Sequence, residues 1–130
     1  MPRPPAVEAQ DYQTRECDVE ASQIVTYPSP VGSFKRIPEI AELVSKFKDP
    51  QKAYRRAVKR LGYREDFGTR VFGYPSWIHD NTLDDDELLF VAQIGSENSA
   101  NLMFGDAGLL YIAATKTVPV RFETDLWQCF

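Results

Sequence analysis

Residues 72–81 read FGYPSWIHDN, residues 87–97 read ELLFVAQIGSE and residues 103–113 read MFGDAGLLYIA. From Leu88 to Ile94 both alternating sets of positions are apolar, with Gln93 as the single exception. A strand of that composition is covered on both faces, which places it inside a sheet. Leu109 to Ala114 repeats the pattern. Gly105-Asp106-Ala107-Gly108 between them is turn chemistry, because aspartate bonds nearby amides and glycine accepts positive φ. The expected arrangement is a hairpin joining a strand around Leu102-Phe104 to the strand from Leu109. Thr69 to Phe72 reads as a further strand, and Gly73-Tyr74-Pro75 as the turn before Trp77-Ile78.

Upstream, two helices are expected. Ile37, Ile40, Ala41, Leu43, Val44 and Phe47 recur at helical spacing over 37–47, opposite Glu39, Glu42, Ser45 and Lys46. Asp49 is a candidate N-cap with Pro50 in the first helical position, Gly62 closes the helix, and Ala53, Tyr54, Ala57, Val58 and Leu61 share one arc of 50–61. Alternation from Cys17 to Val25, broken at Ile24, predicts a strand over 16–27, ended by Pro28 and Pro30. Val118 to Phe122 alternates with Pro119 marking an edge, and Leu126 to Phe130 reads as a last short strand. The fold class is α+β: a mostly antiparallel sheet with two helices, about 37–47 and 50–61, packed on one face. Residues 1–13 are expected as a proline-rich arm and 14–130 as a single domain.

Composition narrows the function. The 130 residues are 43% apolar and 26% charged, ordinary for a globular chain. No apolar run approaches the roughly 20 residues of a membrane span. The start, MPRPPAVEAQ, lacks the apolar core of a signal peptide, so a cytoplasmic location is expected. Cys17 and Cys129 read most simply as free thiols in a reducing compartment. With His79 the only histidine and no Cys-x-x-Cys, no zinc site is expected. No cofactor is implied. The net charge is −4, yet Lys52, Arg55, Arg56, Lys59, Arg60 and Arg64 fall in 50–64 without one acid. The remainder is left at −10, so the molecule is electrically two-faced.

Asp80, Asp84, Asp85, Asp86 and Glu87 form an acidic connection before the central strand. It is either a solvated loop or a docking surface for a basic partner, since clustered carboxylates steer cationic proteins. It does not fit a calcium loop, because position 6 counted from Asp80 is Asp85 and position 12 is Val91. His79 could titrate as a base, but the sequence assigns it no nucleophile or orienting group. Asp106 is structural, and its loop lacks the Lys-Ser/Thr of a phosphate loop. Trp77 and Trp127 are core candidates, an exposed one being an interface anchor.

Gly73-Tyr74-Pro75 with Trp77-Ile78, Leu88-Leu89-Phe90 ending in Gln93-Ile94, and Phe104-Gly105-Asp106-Ala107-Gly108 followed by Tyr111-Ile112 together resemble the C-terminal half of the YwqG-like family. Phe122 and Trp127-Gln128-Cys129 resemble its closing strands, so the resemblance covers roughly 70–130. His79 stands where the family usually has glutamine. Members are usually longer, and the two helices stand where their longer N-terminal half would be. The resemblance implies an α+β fold and a cytoplasmic bacterial protein, with no established catalytic residues. Relatives beside polymorphic-toxin genes imply an immunity role for some members. The expected function is therefore a non-catalytic immunity protein that binds a cognate toxin through Trp77, His79, Asp80, Asp84, Asp85, Asp86 and Glu87. The alternatives are a small-ligand enzyme using His79, Asp80 and Asp106, and an RNA-associated protein using the basic helix. Nucleic acid is the lesser expectation, because the chain is acidic overall and lacks a recognition-helix motif.

Overall fold

The structure is a computed structural model and describes residues 14–79 and 87–130. Among these residues four strands form one sheet in the order β1 (Arg70–Val71), β2 (Leu88–Gly95), β3 (Leu109–Thr115) and β4 (Phe122–Gln128). Every neighbouring pair is antiparallel. β2 and β3 are the interior strands, as their doubly apolar sequences require. Register shifts between Phe90 and Ala92 and between Tyr111 and Ala113 interrupt the two long pairings. A 3-10 turn, Ser33–Arg36, precedes helices α1 (Pro38–Ser45) and α2 (Pro50–Arg60). The α+β class with two helices and an antiparallel sheet holds.

Local chemistry explains the helix ends. Asp49 Oδ1 accepts the Lys52 amide at 2.9 Å, and Pro50 occupies the first turn. That fills a donor left open at a helix start with a side-chain acceptor. Gly62 takes φ +87°, which ends the helix where only glycine adopts the left-handed region cheaply. α2 turns Tyr54 and Val58 inward against Phe34, with Tyr27, Ile40, Val44 and Tyr63 around them. The Phe34 and Tyr54 rings stack at 4.6 Å, and the Tyr54 hydroxyl donates to the Pro28 carbonyl at 2.7 Å. Part of the expected apolar arcs is open, with Leu43, Phe47 and Leu61 more than half exposed.

A second core sits on the sheet. Trp77, Leu109, Tyr111 and Ala113 are buried, with Val31, Phe67, Ile78, Leu88, Phe90 and Leu126 packed against them. The segment before the helices joins the two cores. Val31 enters the sheet core, Phe34 the helical one, and Ser33 Oγ accepts the Trp77 indole N–H at 2.8 Å. The helical layer thus stands on the Trp77 side of the sheet.

Three expected elements differ. Residues 16–27 form no strand and are largely exposed, with Val19 87% and Val25 79% accessible. The nearest sheet edge, β1, is two residues long and cannot extend a ladder along them. Leu102-Phe104 does not pair with β3. Leu102 bridges back to Glu97, and β3 takes β2 as its hairpin partner. The loop between them is held by Ser96 Oγ, which accepts the Phe104 amide at 3.0 Å and donates to the Gly108 carbonyl at 2.8 Å. The two expected C-terminal strands are one strand, β4, which starts only at Phe122. Val118-Pro119 is cis and lies in the connection before it.

Gln93 organises the sheet core. Fully buried on β2, it donates through Nε2 to the carbonyls of Gly68 at 2.8 Å and Asp66 at 3.2 Å. Its Oε1 accepts the Ser76 amide at 2.8 Å and Arg70 Nη2 at 3.2 Å. Ser76 Oγ donates to the Asp66 carbonyl and accepts from Arg70 Nη2. The Tyr111 hydroxyl donates to the Ser76 carbonyl at 2.8 Å. Replacing Gln93 by Leu leaves the Gly68 carbonyl and the Ser76 amide unmatched and takes an acceptor from Arg70, each loss costing about 1–3 kcal/mol. Urea unfolding of Gln93→Leu should show a loss of at least about 3 kcal/mol; an unchanged midpoint and slope would refute the hub.

Burial pushes the Tyr54 phenol up to about 12, with the nearby Tyr63, Tyr74 and Tyr27 adding to the rise. An unfolded tyrosine ionises near 10. The folded state therefore holds this proton more tightly, and the resulting stability is complete below pH 10 and lost as pH climbs through 12. Burial also raises Tyr63 and Tyr111. Stability measured by denaturant titration should fall between pH 10 and 12. Tyr54→Phe should make that fall shallower, and an identical pH slope in the variant would contradict the assignment.

Candidate functional site

Residues paired across antiparallel strands share a face, so the register sorts the sheet into two. On the Trp77 side the rows are Arg70–Gln93–Tyr111–Leu126, Gly95–Leu109–Gln128 and Phe90–Ala113–Glu123. On the other side they are Val71–Ala92–Ile112, Ile94–Leu110–Trp127 and Leu89–Ala114–Phe122. The first face carries Arg70, Gln93 and Gln128 and is buried at Gln93, Leu109, Tyr111, Ala113 and Gln128, with Glu123 exposed at its end. The second is apolar at all nine paired positions and joins neither packed cluster, although Ala92 at its middle is buried. Val71 is 68% exposed, Phe122 64%, Trp127 54% and Leu89 52%. Ile94, Leu110, Ile112 and Ala114 are half-buried. With strands about 4.8 Å apart and a rise of about 3.3 Å per residue, this face measures on the order of 300 Å² in plan. The largest apolar patch on an ordinary monomer is of that size and is often functional.

Gly105 seats the exposed tryptophan. It adopts φ +59°, and a Cβ there would lie 2.9 Å from Trp127 Cζ3 and 2.9 Å from Cys129 Cβ. The 105–108 turn, legible in the sequence, therefore shapes one end of the apolar face. The opposite end is the Leu89–Ala114–Phe122 row, next to the start of β2.

The sequence-predicted contacts separate. Trp77 is 3% exposed, tilts against Tyr111 at 4.5 Å and spends its N–H on Ser33, so it is core and presents no partner surface. His79 is exposed; its Nε2–H donates to the Cys129 carbonyl at 2.6 Å and its amide to Gln128 Oε1 at 3.0 Å. With the Ile78 amide on the same oxygen at 2.9 Å, residues 78–79 are tied to the end of β4. Asp80, Asp84, Asp85 and Asp86 lie outside the described residues. Glu87 is exposed and its carbonyl accepts the Lys116 amide at 2.8 Å. Asp106 is exposed in its turn, its carbonyl accepting the Phe130 amide at 3.3 Å. His79 and Asp106 thus both bind main chain at the C-terminus. Cys17 and Cys129 are free thiols.

Sequence reasoning missed the Arg70–Ser76–Gln93 network and the apolar face. The signal for the first was Gln93, the lone polar residue in its strand. Arg70 lines a cleft of about 180 Å³ with Tyr27, Tyr63 and Asp66, and a wider one of about 800 Å³ beside 17–24. Its Nε is buried without a hydrogen-bond partner among the described residues. Burial lowers the guanidinium's affinity for its proton, and Asp66 partly restores it. Among the described residues no group of three His, Cys, Asp or Glu side chains is placed to hold a metal ion, and no helix is long and apolar enough to cross a membrane.

No curated protein matches the chain. The sequence profile of a family described as a domain of unknown function, DUF1963, matches residues 4–124. The match takes in both helices, which the resemblance over 70–130 left out. It stops short of Trp127-Gln128-Cys129. Covering nearly the whole sequence, it shows that the chain belongs to the DUF1963 family.

Proposed function

We propose that this chain is a non-catalytic protein-binding module of the YwqG-like kind, a bacterial immunity protein that neutralises a cognate toxin in the cytoplasm by docking onto it. The observation that carries this reading is the nine-residue apolar face. Exposed Trp127 and Phe122 are the side chains that most often anchor interfaces when a partner pocket closes over them. Leaving such a face in water forfeits about 25 cal/mol for each Å² that a partner would cover.

The partner's chemistry follows from what borders the face. Glu87 is exposed and leads directly into β2 beside the Leu89–Ala114–Phe122 row, and in the sequence Asp84, Asp85 and Asp86 precede it. The fitting partner has an apolar centre with a basic border. Acidic residues would accelerate encounter and set specificity, while the apolar anchors supply the lifetime.

The experiment pairs the chain with the product of a neighbouring toxin gene. Co-expression should suppress toxicity, and the purified proteins should form a one-to-one complex. Trp127→Ser and Phe122→Ser should each weaken it by about tenfold or more. Replacing Asp84, Asp85 and Asp86 by Ser should slow association at low salt and leave dissociation unchanged. Undiminished toxicity would defeat the immunity reading. Full affinity in both anchor variants would remove the face from the interface. A homodimer in light scattering that Trp127→Ser dissociates, with toxin binding unaffected, would assign the face to a second copy.

A further inference from the structure

The helical layer carries a second surface of opposite character. Residues 33–64 hold ten of the 15 basic residues and three acids, a net of +7, which leaves −11 elsewhere. Tyr54 and Val58 point inward and so set the rotation of α2. At 100° per residue, Lys52, Arg55, Arg56, Lys59 and Arg60 then fall within about 140° of the opposite side. All five are exposed, and none has an ion-pair partner among the described residues.

A solvated helix face normally interleaves both signs. Here Lys52 and Arg56, Arg55 and Lys59, and Arg56 and Arg60 stand four apart with like charge, which destabilises the helix unless an external anion relieves it. A planar apolar group precedes the stripe in the link between the two helices. Phe47 follows α1 with its amide bonded to the Val44 carbonyl at 3.0 Å, and its side chain is 60% exposed. Lys46 and Lys48 flank it, and α2 begins three residues later.

We infer that this layer binds single-stranded nucleic acid, with the cations of α2 on successive phosphates and Phe47 stacked on an unpaired base. Polymeric phosphate fits the charge stripe, because neutralising it releases condensed counterions. The exposed ring selects the strandedness, since only unpaired bases offer a face for stacking and every base has one. An acidic polypeptide would satisfy the cations and leave Phe47 unused. The overall charge of −4 does not oppose this, because the acids lie mainly outside the helical layer and the local field is positive. The site shares no residue with the open sheet face.

Fluorescence anisotropy of labelled oligouridylate with the full chain tests it. Three to five phosphate contacts give a plot of log Kobs against log salt with a slope of about −2 to −3.5. Arg55→Ser with Lys59→Ser should make the slope shallower by about 1.4. Phe47→Ala should lower affinity about tenfold and leave the slope unchanged. All three side chains are exposed, so the variants should keep the wild-type circular dichroism spectrum. A matched oligodeoxyuridylate identifies the sugar, and preference for either supports the site. A slope no steeper than about −1, full affinity in Phe47→Ala, or displacement by polyglutamate as effective as by unlabelled RNA would overturn the proposal. Trp127→Ser should bind the strand normally, so failure here and failure of the protein-docking face are separate results.

Discussion

Gln93 places a carboxamide with two donors and two acceptor sites in a layer that water does not reach, and the chain around it is arranged to fill them. Its N–H groups hold the carbonyls of Asp66 and Gly68, and its oxygen holds Ser76 and Arg70. Those bonds draw the irregular 66–79 segment across the sheet. Trp77 follows into the core, and the ties of 78–79 to Gln128 then fix where the chain leaves toward the acidic connection. Buried polar groups cost free energy unless matched, so this network specifies one packing of the segment over its alternatives.

The sheet is consequently inverted with respect to a simple two-layer domain. Its covered face carries Arg70, Gln93 and Gln128, each bonded to main chain or neighbour. Its open face is apolar at all nine paired positions. The helices do not relieve this, because Ser33 and Val31 hang them on the Trp77 side and their own core closes around Phe34 and Tyr54. Charge is segregated too, with the cations on the helical layer and most acids beyond it. In the proposed readings the apolar and the cationic surface serve different partners.

Much of the fold was legible in the sequence. The two helices, the Asp49 cap, the Gly62 stop, the interior strands and the 105–108 turn each rest on local patterns that the structure keeps. The alternation over 16–27 misled because a strand needs a partner edge, and β1 is too short to provide one. The Leu102-Phe104 pairing failed because Ser96 folds its loop back onto β2. Both tryptophans read as core candidates, with Trp77 also placed in the docking set; Trp77 is core and sealed, while Trp127 is the one exposed. Trp127 lies within β4 and Trp77 in the connection between β1 and β2, and their burial follows from the long-range docking of that connection.

The sequence by itself determined the element types, the charge separation and the presence of one polar residue in an apolar strand, because periodicity and capping act over a few residues. Only the tertiary structure decided which sheet face is covered. That choice depends on where Ser33 and residues 66–79 dock, through hydrogen bonds spanning up to about 50 positions. β2 and β3 are apolar on both sides, so their sequence is equally compatible with burial of either face.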